Sequence, residues 1–167
     1  MPGPPIVSNT SPLLYLGRIG QLGVLPQLFL RVCVPEQVAL ELDAGRLIRG
    51  DTPDPRQFPW AKLVSVTAAM IAALPTNVLG LGERATIAYA VANGNMMVAL
   101  DDRRARLLAQ QLGVPVVGLV GILLKAKKAG VLPVVKLHLE VAQTYGFRLH
   151  PATYAQALHL AGETEGE

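Results

Sequence analysis

Short, mainly apolar runs alternate along this chain with longer stretches in which apolar and polar residues mix. The runs at Ile6–Ser8, 32–34, 63–66, 96–100 and 114–117 read as strands. The 96–100 run, MMVAL, has no polar position and suits a strand buried on both faces. Between the runs the spacing predicts helices over 12–16, 22–29, 83–92, 103–112, 118–129, 133–145 and Pro151–Ala161, and one opening at Pro35. Ser11 before Pro12 is a start signal, a hydroxyl N-cap followed by a proline whose missing N–H is not needed there. Gly17, Gly113 and Gly130 read as helix stops, and so does Asn93-Gly94-Asn95. The 44–59 segment carries Gly45, Gly50, Pro53, Pro55 and Pro59 and reads as a loop. The acidic tail, 162–167, reads as frayed. Helices alternating with buried strands predict an α/β domain around a parallel sheet.

Composition narrows this picture. The chain has 167 residues, 51% hydrophobic and 16% charged, which excludes a disordered segment. Its single cysteine, Cys33, excludes an internal disulfide, and a chain of this length buries roughly 70% of its unfolded surface without one. That suits a reducing cytoplasm. Mean hydropathy is +0.37, and two stretches, 63–82 and 107–124, lack charge. Pro75, Thr76 and Asn77 divide the first; Gln110, Gln111, Gly113 and Pro115 divide the second. Neither is expected to span a membrane. The opening residues, MPGPP, lack the basic and apolar regions of a signal peptide. No repeat or linker divides the chain.

Ligands collect at the carboxyl ends of the strands in an open parallel sheet. Asn9 follows the first strand, and Asp101 and Asp102 follow the 96–100 run. Glu41 lies on the helix after the 32–34 run, and Glu83 starts the helix that precedes 96–100. Clustered carboxylates repel one another unless a cation sits among them, and Mg²⁺ or Mn²⁺ prefers such oxygen ligands. An ion there would polarise a phosphodiester and lower the pKa of a bound water. Between Asp101 and Lys136 seven basic residues (Arg103, Arg104, Arg106, Lys125, Lys127, Lys128 and Lys136) face two acids, an excess suited to phosphate contacts.

Each residue also has a plainer reading. Asp101 or Asp102 at a helix start is ordinary capping. Glu41 on a helix is usually solvated. Glu83 favours the helix dipole at one end, and the Lys125–Lys128 cluster favours it at the other. His138, His150 and His159 lack metal-ligand spacing. Cys33 in an apolar strand is a small core residue.

Four segments, taken in order, resemble the motifs of PIN-domain proteins. IVSNTSPLL (6–14) is similar to their opening, where Asp or Asn follows the first strand. VPEQVALEL (34–42) resembles their second motif, LGLGERATI (79–87) the third and LDDRRAR (100–106) the fourth. Segments 113–118 and 123–130 are similar to the compact bacterial and archaeal branch kin to VapC-type toxins. The resemblance implies a three-layer α/β/α fold with a central parallel sheet of four or five strands. That domain would occupy 1–147, with 148–167 a C-terminal helix and tail of the same unit. It also implies a metal-dependent ribonuclease cutting single-stranded RNA, often a homodimeric cytoplasmic toxin held by a small antitoxin. Asn9 then takes the first acidic position, Glu41 the second, Glu83 the third and Asp101 or Asp102 the fourth. Thr10 and Ser11 border the pocket, Arg103, Arg104 and Arg106 contact RNA, and Mg²⁺ or Mn²⁺ is the ion. Asn9 departs from the Asp of the well-studied nuclease branches: its amide offers an oxygen but no charge, so metal affinity should fall.

Two rivals remain. Asn9 favours a PIN-fold binding module without nuclease activity. Gly80, Gly82 and Ala85 also fit the GxGxxA dinucleotide fingerprint, with Asp101 about 20 residues on. That fingerprint needs a buried strand running into its first glycine, and LPTNVL (74–79) is a poor one.

Overall fold

The computed structural model describes residues 3–164. Five strands pair in parallel, β1 (Ile6–Ser8), β2 (Val32–Pro35), β3 (Ala61–Val64), β4 (Met97–Ala99) and β5 (Val116–Val117), in the order β3-β2-β1-β4-β5. Ile6 aligns with Val32 on one side and with Met97 on the other. The chain winds outward from β1 in one direction and then crosses to β4. That reversal opens a crevice at the carboxyl ends of β1 and β4.

Alternation along the strands makes two cores. Ile6, Val32, Val34, Ala99 and Val117 face α1 (Thr10–Arg18), α2 (Val24–Leu28), α3 (Glu36–Ile48), α7 (Leu119–Lys128) and α8 (Lys136–Thr144). Val7, Cys33 and Val98 face α5 (Leu81–Ala92) and α6 (Arg103–Gln111) on the opposite side. Period-two side-chain direction thus turns short apolar runs into the middle layer of an α/β/α sandwich. Phe147 and Leu149, and then Tyr154 and Ala157 of α9 (Pro151–Ala161), pack against the first core.

Several expected boundaries move. The first helix begins at Thr10 with Asn9 in the cap position, so Ser11 lies inside it and Pro12 still falls in the first turn, where no N–H is needed. Pro35 completes β2, and α3 runs on to Ile48, through the start of the expected loop. Arg46 pairs with Asp43 one turn back and steadies that extension. A 3₁₀ turn, Pro55–Gln57, forms inside the loop, and β3 starts earlier than the 63–66 run suggests. The short helix α4 (Ala68–Ala72) was not foreseen; the Thr67 hydroxyl caps it, accepting the Met70 N–H at 3.1 Å. The helix expected over 22–29 shortens to Val24–Leu28.

The tail reading changes as well. Residues 165–167 lie outside the described residues, but Glu163 is fastened. It accepts N–H bonds from Val135 and Lys136 at 2.8 and 2.9 Å and pairs with Lys127 at 2.8 Å. The carboxylate thereby satisfies amides at the start of α8. Among the described residues no helix is long and apolar enough to cross a membrane.

Candidate active site

Each carboxylate at the crevice is held by the N-terminus of a helix. Glu41, on the second turn of α3, accepts the Gly82 N–H of α5 at 2.9 Å and the Thr10 hydroxyl at 2.5 Å. Glu83 turns back to the N–H of Gly80, the residue capping α5, at 3.2 Å. Asp102 caps α6 through the Ala105 N–H at 3.0 Å. Asp101 reaches across to the first amide of α7, Leu119 N–H, at 2.9 Å. Helix N-termini carry partial positive charge and unpaired N–H groups, so they hold anions in place without neutralising them.

Glycine makes the closest of these approaches possible. A Cβ on Gly82 would lie 2.6–2.8 Å from the Glu41 carboxylate. Only a residue without a side chain lets that carboxylate reach the helix amide. The sequence signal for this was the second glycine of GLG, which the dinucleotide fingerprint also uses. Here the place where a phosphate would meet the helix start is taken by Glu41, and no strand runs into Gly80. The dinucleotide reading therefore fails in this setting.

Asn9, Thr10, Ser11, Glu41, Glu83, Asp101 and Asp102 all line one open cleft of about 560 Å³. Asn9 is only 5% exposed, and its backbone N–H bonds to the Ala99 carbonyl at 3.1 Å, carrying the sheet ladder one step further. Its side chain does not cap α1, and Oδ1 is buried with no hydrogen-bond partner. Asp101 Oδ2 is in the same condition. The sequence left Asp101 and Asp102 as equals; the structure separates them. Asp102 is exposed and caps, whereas Asp101 is half-buried with one oxygen unpartnered.

Burial, then the charge of Asp102 and, more weakly, that of Glu41, hold the Glu83 carboxyl above its ordinary range against the Gly80 N–H. Burial also raises Asp101, opposed by the Leu119 N–H and the Arg106 guanidinium. Among the described residues no three His, Cys, Asp or Glu side chains form a ready-made metal cage. The donors nevertheless fit a hard divalent cation. They are all oxygens, the site is open to water, and two buried acceptors, Asn9 Oδ1 and Asp101 Oδ2, lack partners. Mg²⁺ keeps several waters and needs only one or two carboxylates from the protein.

The three predicted arginines part company. Arg106 donates to the Leu100 carbonyl at 3.0 Å and sits beside Asp101. Arg103 and Arg106 line a neighbouring groove that adjoins the acidic cleft. Arg104 lines neither; it borders a depression with Thr76 and Val78. Sequence reasoning missed Tyr15, Phe147 and Arg148, which wall the cleft. Gly146, with φ of 97°, turns the chain after α8 and delivers the last two, and only its helix-breaking character was visible beforehand.

A family model described as PIN domain matches residues 5–163 of this chain. No curated protein matches it.

Proposed function

The chain belongs to the PIN-domain family, and from that premise we propose that it is a metal-dependent endoribonuclease acting on single-stranded RNA. PIN domains are generally nucleases that use divalent metal ions. The observation that carries the reading here is the convergence of four carboxylates and Asn9 on one cleft, with Asn9 Oδ1 and Asp101 Oδ2 buried and unpartnered, at the crevice where the sheet reverses direction.

In this mechanism Asp101, Glu83 and Asn9 Oδ1 would hold Mg²⁺ or Mn²⁺, with Glu41 and Asp102 at its border, and the bound ion would supply polarisation of the scissile phosphate and a more acidic water. The protein's own part is placement. The Gly82 N–H and the Thr10 hydroxyl fix both oxygens of Glu41. The Leu119 N–H fixes one oxygen of Asp101 and leaves the other buried without a partner. Arg106 braces the turn after β4 through the Leu100 carbonyl. Burial and the charges of Asp102 and Glu41 hold the Glu83 carboxyl above its ordinary range, the direction that a nearby cation would oppose.

The cellular role we propose is that of a cytoplasmic toxin restrained by a small antitoxin and acting as a homodimer. Leu40, Leu47 and Ile48, exposed on α3, supply apolar surface for a partner chain. The second reading, a PIN-fold binding module without activity, is favoured by the uncharged Asn9.

Cleavage of a labelled single-stranded RNA with Mn²⁺ or Mg²⁺ separates the two. The parent should cut, and Glu83→Gln and Asp101→Asn should each lose at least about 100-fold, as expected when a metal-holding carboxylate is neutralised. Asp102→Asn should lose less. A folded parent that cuts none of several RNAs with either ion would leave the binding module standing.

A further inference from the structure

We propose that the groove between α6, α7 and α9 carries the nucleotides on one side of the scissile bond, with Arg148 as the positioning residue at the junction. This rests on the nuclease reading of the acidic cleft. The groove, about 680 Å³, opens into that cleft: Asp101, Phe147 and Arg148 line both. Its cations are Arg103, Arg106 and Arg148, and its only carboxylate among the described residues is Asp101, at the shared edge. Its floor is largely aliphatic, with Val120, Leu124 and Leu149 as surface on which bases can rest.

Two of these cations, Arg148 and Arg103, are not tied into the fold. Arg148 is exposed and makes no hydrogen bond or ion pair with the described residues. Arg103, exposed at the start of α6 beside the capping Asp102, likewise makes no hydrogen bond or ion pair with the described residues. Exposed cations that no contact of the fold engages point to a role elsewhere.

A strand whose phosphate sits at the acids has one other direction to take. On that side a smaller hollow of about 220 Å³ shares Thr10, Leu14 and Glu41 with the cleft. Arg49 there is ion-paired with Asp51 through two bonds of 2.7 and 3.1 Å and stacks over Tyr145. Arg18 is engaged by the rings of Tyr15 and Tyr145, although its Nε has no hydrogen-bond partner. The larger groove, where Arg103 and Arg148 make no hydrogen bond or ion pair with the described residues, is the better path for a polyanion.

Binding of a fluorescent single-stranded RNA 12-mer in EDTA tests this without cleavage. Arg148→Ala and Arg103→Ala should each weaken binding about three- to tenfold at low salt. Each should also reduce the slope of log K against log salt by about 0.7, the value for one lost phosphate contact on a single strand. Lys62→Ala, which removes the same charge from the opposite edge strand, should change neither. Arg148→Lys should restore most of the affinity. With metal present, Arg148→Ala should raise KM more than it lowers kcat. Equal affinity of parent, Arg148→Ala and Arg103→Ala overturns the proposal and leaves the groove to a protein partner. Equal weakening by Lys62→Ala overturns it as nonspecific charge, and so does a parent that binds no RNA at low salt. Binding that follows the predicted pattern without cleavage by any ion would instead overturn the nuclease reading and leave the groove standing.

Discussion

Glu41 and Asp43 lie two residues apart on α3 and belong to opposite electrostatic regimes. Asp43 is clasped by guanidiniums: Arg56 bonds to it at 2.9 and 3.0 Å, Arg46 pairs with it as well, and Arg56 also holds Asp54 at 3.0 Å. Glu41 faces the cleft with Glu83, Asp101 and Asp102. Among the described residues no salt bridge reaches any of the four. The pKa directions follow. Asp43 is lowered, chiefly by its bond to Arg56, whereas Asp101 and Glu83 are raised, chiefly by burial. In the loop, charge is matched internally and helps to hold the 43–56 segment together. At the crevice, charge is gathered, fixed by helix amides and left unmatched. The second arrangement is the one that the proposed cation would balance.

The sharpest way to break this contrast is to disturb the cradle without touching an acid. Gly82→Ala sets a methyl group against the Glu41 carboxylate, so the carboxylate must leave the helix amide. Metal-dependent cleavage should fall about 10–100-fold, the range typical for loss of an orienting contact around a metal site. The fold should survive, because alanine suits a helix better than glycine does. Unchanged cleavage by Gly82→Ala would show that Glu41 has no part in the site.

A second change sharpens the contrast by adding charge. Asn9→Asp places an anion at a position 5% exposed, beside Asp101. A full charge within a few ångströms of a divalent ion should tighten Mn²⁺ binding about tenfold or more, even after screening. Without metal the same variant should melt earlier, since it buries an unpaired charge. Calorimetry that gives parent and variant the same Mn²⁺ affinity would remove Asn9 from the ion's surroundings.

How much of this was legible in the sequence depends on range. β1, β2 and β4 were visible because strands buried on both faces read as unbroken apolar runs, closed by Asn9, Pro35 and Asp101. Asp101, Asp102 and Glu83 were visible because each follows a strand or opens a helix, and Glu41, on the second turn of α3, was visible through the VPEQVALEL motif. The choice between Asp101 and Asp102 was not visible. Adjacent residues in extended chain point opposite ways, and what assigns Asp101 is the Leu119 amide, brought in by β5 and α7. The split between Arg103 and Arg104 was hidden for a similar reason, since neighbours on a helix differ by about 100° in direction. Phe147 and Arg148 had no local signal, because only the packing of α8 and α9 carries them back to the start of α1.

The smallest effect to measure is the one whose sign states the contrast most directly. For Asp101 the folded carboxyl binds its proton more tightly than the unfolded one does. Its contribution is therefore most favourable at pH below the unfolded pKa and becomes a full cost as pH rises through the folded value. Asp43 runs the other way. Its folded pKa is lowered, so its stabilisation is present above the unfolded pKa and is lost as pH falls through the folded one. In metal-free buffer at pH 7, Asp101→Asn should raise Tm by about 2–4 °C, the shift that ~1 kcal/mol produces in a chain of this length. Asp43→Asn should lower Tm slightly, with an effect that shrinks in high salt because the pair is exposed. The Asp101 difference should fade as the melts are repeated down to pH 4, whereas the Asp43 difference should persist there and fade only at lower pH, as its folded carboxyl takes up a proton. Adding Mn²⁺ should reverse the order for Asp101 alone, since the ion stabilises the parent in proportion to its binding and the variant much less. Melts in which Asp101→Asn and Asp43→Asn shift the same way, with and without metal, would mean that the crevice acids are structural in the same sense as those of the loop.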